Sequence, residues 1–279
     1  MSTSIRDVRR RIRSVASTEQ MTQAMKTVAV SKHNRAREKR DAFLDYDRAC
    51  RAVLERLGGA DIVAPSSPRE RVVFLVLTAN RGLCGSFHVD LFHALEERLQ
   101  EETREVGFVV CGKWGRTYFE EHKDERVLRY FSVADLPAPE TASEISAYLT
   151  ELYRTGEASE IRIFGQQFEN LLRQIPEEEV FLPKNVLAGE ETDDVLFLSD
   201  RRALLRELTE LSLSAMIYGR LLASAEGAHA AMLVAMRTAN DSSEELLEEL
   251  TMSYHRLRQA AVTTEVLELA GNGESNEGN

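Results

Sequence analysis

A glycine-rich stretch between Ala79 and His88 contains the residue types most typical of a binding or catalytic loop. It reads Ala79-Asn-Arg-Gly-Leu-Cys-Gly-Ser-Phe-His88 and lies between a predicted strand and a predicted helix. In α/β folds such loops bind phosphates, because the N–H groups at the start of the helix point at the ligand. The known phosphate patterns end in Gly-Lys-Ser/Thr or hold three glycines at set spacing, and Gly82 and Gly85 match neither. We therefore predict a tight turn packed by its own side chains.

Cysteine and histidine side chains offer little further chemistry. A helix N-terminus can lower the pKa of a thiol such as Cys84 and favour a nucleophile, but no His or Asp partner can be assigned to it. His88 and His93 are five residues apart, so they do not share a helical face for a metal. We expect His229 to be packed against or hydrogen-bonded to its partner helix, with a pH-sensitive contact as the functional alternative. We predict no catalytic residue, no metal and no cofactor.

Four arginines, Arg9, Arg10, Arg11 and Arg13, form a basic cluster that is a candidate nucleic-acid contact. However, Ile12 between them belongs to an apolar helical stripe, and the whole chain has a net charge of −11. A solvated helix face, or a face presented to an acidic protein partner, is the better interpretation. We predict no nucleic-acid binding.

The elements that would position such residues begin with a long C-terminal helix. Residues 204–267 lack proline, and apolar or small residues recur in steps of four and three over about nine heptads, which predicts a coiled-coil helix. At 1.5 Å per residue it would be on the order of 95 Å long, so another segment must lie beside it. Its stripe is Leu204, Leu208, Leu211, Ala215, Tyr218, Leu222, Ala225, His229, Met232, Met236, Ala239, Ser243, Leu246, Leu250, Ser253, Leu257, Ala260, Thr264 and Leu267.

The N-terminal residues supply the expected partner helix. Residues 4–57 lack glycine and proline and end at Gly58-Gly59, a helix stop. Residues 1–58 carry a net charge of +7 and residues 203–279 a net charge of −7, which favours pairing of the two ends. Two such helices pair within one chain only if they are antiparallel; two surface helices of an ordinary bundle are the alternative. The stripe is Ile5, Val8, Ile12, Val15, Thr18, Thr22, Met25, Ala29, Lys32, Ala36, Lys39, Phe43, Tyr46, Cys50, Val53 and Leu57.

Between the helices, short apolar runs alternate with helical segments, which predicts an inserted α/β domain with a mainly parallel, Rossmann-like sheet. The predicted domains are a helix at 1–58, a linker at 59–70, the α/β domain at 71–200, a helix at 201–270 and a disordered acidic tail at 271–279. The predicted strands are Arg71–Thr78, Val106–Cys111, Val127–Phe131, Glu160–Phe164, and two weaker ones, Val180–Leu182 and Val195–Leu198, that form an antiparallel edge. The predicted helices are Phe87–Gln100, Lys113–Glu121 and Ala142–Thr155.

Composition limits the class of protein. The chain has 279 residues, of which 43% are hydrophobic and 29% charged, and it contains no apolar run long enough to cross a bilayer. The three cysteines are widely spaced, which fits neither a disulfide framework nor a zinc site and indicates a reducing, cytosolic setting.

Three blocks of sequence resemble the gamma subunit of F-type ATP synthases over nearly the whole chain. They are Ile5-Arg-Asp-Val-Arg-Arg-Arg-Ile-Arg-Ser-Val with Met21-Thr-Gln-Ala-Met-Lys-Thr-Val-Ala, the signature turn Arg81-Gly82-Leu83-Cys84-Gly85, and Ala235-Met-Arg-Thr-Ala-Asn-Asp with the segments that begin at Glu245 and Tyr254. The resemblance implies a rotor whose coiled coil stands inside a ring of alpha and beta subunits. Its base and α/β domain would sit with epsilon on the membrane c-ring, and the chain itself would do no ATP chemistry.

The resemblance also implies contact residues and a location. Met25 and Lys26 would face the lever loop of the beta subunit, and a polar catch with the head would consist of Arg258, Gln259, Thr263 and Glu265. The chain would be a peripheral protein on the cytoplasmic side of the bacterial inner membrane. A coiled-coil scaffold or adaptor without rotary function is the alternative, and a free α/β enzyme would need a catalytic pocket that the sequence does not indicate.

Some residues differ from the family pattern. Gly227-Ala-His-Ala-Ala-Met-Leu233 stands where the family usually has Ser-Glu-His-Ala-Ala-Arg-Met, so an acidic and a basic group are missing beside His229. Asn80 and His88 stand where Asp and Asn are usual, and the C-terminus continues into an acidic, polar tail.

Overall fold

The computed structural model describes residues 4–56, 69–183 and 200–274. The helices are α1 (Ile5–Arg56), α2 (Phe87–Glu101), α3 (Lys113–Glu121), α4 (Pro139–Arg154) and α5 (Arg201–Glu274). The strands are β1 (Arg71–Leu77), β2 (Glu105–Cys111), β3 (Val127–Phe131), β4 (Glu160–Asn170) and β5 (Arg173–Leu182). Two compact units result: a terminal unit (Met1–Val28 with Ala235–Asn279) and a central unit (Ala29–Val234).

The central unit contains one five-stranded sheet in the order β3-β2-β1-β4-β5. The first four strands are parallel, and β5 pairs antiparallel with β4 at the edge. The predicted α/β fold with a mainly parallel sheet between two terminal helices is thus confirmed. Strand β5 is longer than predicted and includes Pro176, which an edge strand accommodates because it leaves one side unpaired. The predicted strand Val195–Leu198 and residues 59–68 of the predicted linker lie outside the described residues.

Strand β1 is buried on both faces, which explains its nearly unbroken apolar sequence. Because successive side chains of a strand point to opposite faces, its residues divide between two cores. One face packs against α4 and α5, through buried residues that include Val73, Leu75, Leu77, Ile145, Leu149, Ile217 and Leu221. The other packs against α2 and α3, through Val72, Phe74, Val76, Leu91, Leu95 and Phe119. The sheet is therefore the middle of three layers.

Helix α5 buries more in the central unit than a coiled-coil stripe would. Leu213, Ile217 and Leu221 lie off the predicted stripe yet are buried, because this section packs against the sheet as well as against α1. Leu211, which the stripe includes, is exposed. The heptad pattern alone was therefore an incomplete description of this section.

Helices α1 and α5 are antiparallel in the central unit, as predicted. His33 lies beside the backbone of Glu226, whereas Phe43, later in α1, makes an edge-to-face contact with Tyr218, earlier in α5. The ring centroids of Phe43 and Tyr218 are 4.9 Å apart. At Gly219 an added Cβ would lie 3.2 Å from the Phe43 ring, so the missing side chain allows this close approach. On the predicted α1 stripe, Lys39, Tyr46 and Val53 are exposed.

The terminal unit pairs the start of α1 with the second half of α5. Ser4 and Asp7 cap α1: the Ser4 hydroxyl accepts a hydrogen bond from the Asp7 N–H at 3.2 Å and donates one to its carboxylate at 2.9 Å. Arg9 donates a hydrogen bond to the Tyr254 hydroxyl at 2.7 Å. Since α1 begins only four residues before Arg9, α5 continues past its end.

Several predicted stripe positions of the terminal unit are consequently exposed. Beyond Tyr254 the described part of α1 soon ends and offers α5 little to pack against, while Thr18 and Leu246 lie on outward faces. The exposed positions are Thr18, Leu246, Ala260, Thr264 and Leu267. Helix α5 extends to Glu274 and so includes the first four residues of the predicted tail.

Candidate functional site: the signature turn and the helix junction

The signature turn Arg81–Gly85 leaves the carboxyl end of β1, which lies near the middle of the sheet. Leu83 and Gly85 have positive φ values of 61° and 58°, and the Leu83 side chain is 61% exposed. At Gly82 an added Cβ would lie only 2.8 Å from the Trp114 ring. Gly82 is therefore needed for close packing against Trp114, and Gly85 for a backbone conformation with positive φ. Both roles fit the predicted packed turn.

His88 packs against Trp114 and contacts the backbone of the turn. Its ring stacks on Trp114 with centroids 5.2 Å apart, and its Nε2 lies 3.4 Å from the backbone oxygen of Arg81. Burial lowers the pKa of His88 to about 4, although the contact with Arg81 acts in the opposite direction. The ring is therefore neutral at physiological pH and serves as a packing and hydrogen-bonding group.

Cys84 lies in the same turn but is a poor nucleophile. Its side chain is buried, and its Sγ lies 3.7 Å from the backbone oxygen of Arg81. Burial raises the pKa of the thiol to about 11, so the thiol stays protonated at neutral pH. This opposes the nucleophile hypothesis on physical grounds.

Asn80 ties the end of β1 to two neighbouring segments. Its side-chain amide donates a hydrogen bond to the backbone oxygen of Val133, and its side-chain oxygen accepts one from the N–H of Lys113 at 3.0 Å. Val133 follows β3 and Lys113 begins α3. Asn80 therefore fixes the start of the turn to the segment after β3 and to the start of α3.

Asp135, in the loop between β3 and α4, contacts α1, the signature turn and α5. Its carboxylate accepts hydrogen bonds from Lys32 on α1 and from Arg81 Nε in the turn, the latter at 2.7 Å. Partial burial acts to raise the pKa of Asp135, but the bonds from Lys32 and Arg81 outweigh it and lower the pKa to about 2. The carboxylate is thus ionised and paired at neutral pH.

His229 on α5 contacts this loop, a neighbour that the sequence prediction did not include. Its Nε2 lies 3.3 Å from the backbone oxygen of Asp135. Burial lowers the pKa of His229, while the contact with Asp135 acts to raise it. The reason for the difference is that this section of α5 packs on the α/β domain as well as on α1.

A cavity of about 30 Å³ lies between the turn, the loop and α5. Its lining includes Asn80, Arg81, Asp135 and His229. Small-molecule sites are typically ~300–1,000 Å³, so this space suits about one water molecule and not a nucleotide. Within the described residues, no group of three or more His, Cys, Asp or Glu side chains could hold a metal ion.

A larger groove of about 540 Å³ lies between α1, α5 and the β4–β5 pair. Arg220, at its wall, donates hydrogen bonds to Glu179 at 2.7 Å, Glu177 at 2.6 Å and Gln167 at 3.0 Å. Its guanidinium is therefore already engaged in holding α5 to the sheet and is a poor candidate for binding an anionic ligand.

A second polar contact joins α1 and α5 directly. Glu226 is fully buried, and its carboxylate lies 2.7 Å from Nη1 of Arg40. The Arg40 guanidinium also lies over the Phe168 ring, 5.4 Å from its centroid. Burial raises the pKa of Glu226, and the neighbouring arginines Arg40 and Arg37 counteract it. The pair is an ion pair whose acid is costly to keep ionised.

The predicted partner-contact residues lie in the terminal unit at two separate places. Met25 and Lys26 are half-buried on α1, and the four catch residues Arg258, Gln259, Thr263 and Glu265 are exposed on α5. Arg258 is one turn beyond Tyr254, the partner of Arg9, whereas Met25 is 16 residues from Arg9, or about 24 Å along a helix. The structure thus does not bring the two sets together. The Thr263 hydroxyl donates to the Gln259 backbone oxygen at 2.9 Å.

Comparisons with known proteins identify the family. A family model described as ATP synthase matches residues 4–275. The ATP synthase gamma chain of Desulfitobacterium hafniense is 33% identical over 273 residues, which cover 96% of this chain and 97% of that protein. The chain belongs to the ATP synthase gamma chain family. The ATP synthase gamma chain of Symbiobacterium thermophilum is also 33% identical, over 281 residues that cover 97% of this chain and 98% of that protein.

Solved structures show the same fold. A chain of the Euglena gracilis mitochondrial ATP synthase (OSCP/F1/c-ring) superposes with a TM-score of 0.69 at 15% identity, covering 97% of this chain and 94% of that one. A chain of the Tetrahymena thermophila mitochondrial ATP synthase central stalk and c-ring gives 0.62 at 16% identity, covering 78% and 99%. A gamma chain is a component of ATP synthase, a membrane-associated complex. In this member of the family, none of the described helices has the length and apolar character needed to span a bilayer.

Sequence reasoning missed four residues that hold α1 to α5 or to the α/β domain: His33, Arg40, Asp135 and Glu226. Glu226 did carry a signal, because it is an acid in a helical segment whose neighbours are mostly apolar. Asp135 carried none, since its charged partner Lys32 is 103 residues away in the sequence.

Proposed function

We propose that this chain is the central-stalk rotor subunit of an F-type ATP synthase. It would couple ion flow through the membrane ring to ATP synthesis or hydrolysis on the alpha/beta head by rotation. The observation that carries the proposal is the antiparallel packing of α1 and α5 around an inserted α/β domain, in a member of the gamma chain family. Long paired helices anchored in a rigid sheet domain are suited to transmitting torque.

The proposed partners are the alpha and beta subunits, the epsilon subunit and the c-ring, with one copy of this chain per complex. Solved structures of similar fold come from ATP synthase assemblies described as F1, central stalk and c-ring. The proposed location is the cytoplasmic side of the bacterial inner membrane, where the chain would be held through the complex. Bacterial relatives that align over nearly their whole length support this location.

The proposed role is non-catalytic. Cys84 is buried and protonated, the cavity beside the turn has room for about one water, and the Asp135 carboxylate is already paired with two cations. These groups hold the turn and the helices together. ATP chemistry would then take place on the beta subunits, and this chain would change their conformation by contact.

We assign the beta-subunit contacts to Met25 and Lys26 on α1 and to the exposed catch residues on α5. A ligand shifts a conformational equilibrium only by binding one state better than another, so a rotor must present different surfaces to different beta subunits. The assigned residues lie at two heights of the terminal unit, as contacts with a lever loop and with the upper head require. The polar catch residues are Arg258, Gln259, Thr263 and Glu265.

Reconstitution tests the rotor against the adaptor. Alpha and beta subunits are assembled with and without this chain, and ATP hydrolysis and rotation of a bead attached to the α/β domain are recorded. We expect the chain to raise hydrolysis and to turn in one direction during turnover. A chain that joins the complex without changing turnover and without rotating would be an adaptor, and a chain that never joins it would contradict both.

A further inference from the structure

We propose that Asp135 is a positioning residue that fixes both long helices to the α/β domain, so that torque passes between them without slip. The group is called the Asp135 clamp and consists of Lys32, Arg81, Asp135 and His229. The proposal rests on the proposed rotor function, since movement of the helices relative to the α/β domain matters for coupling only if the chain transmits torque.

The clamp joins four segments of the central unit at one residue. The Asp135 carboxylate oxygen Oδ2 accepts hydrogen bonds from Lys32 on α1 and from Arg81 in the turn after β1. The backbone oxygen of the same residue faces His229 on α5. These partners are 103, 54 and 94 residues away in the sequence. One loop residue of the α/β domain therefore touches both helices.

The charged contacts are partly shielded from water. The side chains of Lys32 and Asp135 are 28% and 26% exposed, whereas that of Arg81 is 53% exposed. Charge-assisted hydrogen bonds are stronger than neutral ones, and exposed ion pairs contribute little because water and salt screen them. Of the two cations, Lys32 should therefore contribute the more to holding the loop, and it is the one that belongs to a long helix.

The clamp adds to the other contacts that oppose rotation of α1 about its own axis, among them the Arg40–Glu226 ion pair. Lys32 and His33 are successive residues, so their side chains point about 100° apart around the helix. The His33 ring contacts Phe168 of β4, with ring centroids 5.7 Å apart, while Lys32 contacts Asp135. Contacts in different directions oppose rolling of α1 on the sheet domain, so loss of the Lys32 contact should weaken this restraint on one side of the helix.

On the α5 side, packing beside the clamp is incomplete. The cavity of about 30 Å³ is lined by Ala225, Ala228 and Asp135, among others. Small side chains bring α5 close to the loop but leave space that apolar atoms do not fill. The contact between His229 and the backbone of Asp135 therefore helps to hold α5 in place.

The test uses the whole complex in membrane vesicles and measures protons pumped per ATP hydrolysed. The variants are Asp135→Asn, which keeps the shape but removes the charge, and Lys32→Met, which leaves the pair of Asp135 with Arg81 intact. The matched control is Asp124→Asn, because Asp124 is also a loop carboxylate paired with an arginine, but that partner, Arg126, lies two residues away in the same loop.

Loss of a charge-assisted bond of this kind should shift the equilibrium between clamped and released α1 by roughly tenfold or more. We expect Asp135→Asn and Lys32→Met each to pump about half as many protons per ATP as wild type or fewer, while hydrolysis stays stimulated. Asp124→Asn should couple like wild type. Asp135→Glu should restore part of the coupling, which a purely steric role of Asp135 would not allow.

Salt dependence supplies a readout that a merely structural role would not change. Wild-type coupling should fall as salt shortens the screening length from about 10 Å at 0.1 M toward about 3 Å at 1 M, whereas Asp135→Asn should be less sensitive. The proposal would be overturned if Lys32→Met pumped as many protons per ATP as wild type. It would also be overturned if coupling depended on salt equally in Asp135→Asn and Asp124→Asn. If wild type itself neither stimulates hydrolysis nor pumps, the rotor function fails instead.

Discussion

The substitution His88→Asn should make the protein less sensitive to acid, because it removes a buried imidazole that resists protonation. Burial lowers the pKa of His88 from 6.5 to about 4 in the folded chain. Between these values the unfolded chain binds a proton that the folded chain does not. Stability is therefore unaffected above about pH 6.5 and falls by about 1.4 kcal/mol per pH unit below it. The loss is about 2 kcal/mol at pH 5 and levels off at about 3 kcal/mol below pH 4.

Urea unfolding of wild type and His88→Asn between pH 5 and 8 measures this loss. Trp114 is the single tryptophan and stacks on His88, so its fluorescence reports unfolding of this part of the sheet domain. The variant loses packing at all pH values, but that loss does not depend on pH. The difference between the two free energies should therefore shift by about 2 kcal/mol in favour of the variant from pH 7 to pH 5. Taking the difference also cancels the contributions of His33, His229 and Glu226.

A control lies on the same helix. His93 on α2 has a side chain that is 71% exposed, so His93→Asn controls for the removal of an imidazole that is not buried. If the difference between wild type and His88→Asn were flat from pH 8 to pH 5, the folded-state pKa of His88 would not be depressed, and the described burial of its ring against Trp114 would be wrong.

Three further perturbations test other parts of the structure. Gly82→Ala places a methyl group 2.8 Å from the Trp114 ring and should lower the free energy of unfolding by about 1–3 kcal/mol in urea titrations; an unchanged value would contradict the close packing. Glu226→Ala leaves the guanidinium of Arg40 without its partner in a largely buried position and should cost about 2 kcal/mol in the same assay, with Glu226→Gln costing less; equal stability of Glu226→Ala and wild type would refute the ion pair. Met25→Lys places a charge at the proposed lever contact and should reduce ATP-driven proton pumping per ATP hydrolysed in the reconstituted complex; wild-type coupling in that variant would argue against the assignment of Met25.

The sheet was largely predictable because burial on both faces leaves a clear pattern in sequence. The unbroken apolar run of β1 and the β-branched residues Ile161 and Ile163 near the start of β4 predict strands, whereas most of β5 does not look like a strand. Its central residues include Pro176 and three glutamates at 177–179. Those glutamates are accommodated by arginines from other elements, as Glu178 is by Arg98 and Arg162. Such compensation depends on contacts between distant segments, which the local pattern does not contain.

The site was predictable only where its contacts are local. The packed character of the turn follows from Gly82 and Gly85 and the absence of a phosphate pattern. The contact of His229 with the Asp135 loop was not predicted, because a heptad count considers only the facing helix as a neighbour. In the structure this section of α5 also meets the loop that carries Asp135, and no spacing rule connects these two residues.

One continuous heptad pattern in α5 serves two different environments. In the central unit the helix is buried on a wide face, because residues such as Leu213, Ile217 and Leu221 contact the sheet core. In the terminal unit the buried positions form a narrow stripe that includes Met236, Asn240 and Ser243.

Free energy from burial scales with the apolar area removed from water, so the narrow, partly polar stripe should hold its section more weakly. The same section leaves Val262 and Val266 exposed, which would be a liability in a free protein. In the proposed rotor these side chains would have a use, because the head would cover the end of α5. Under the proposed function, the weak seam and the exposed apolar residues would follow from one requirement, namely that the outer surface of this helix carries the contacts with the head.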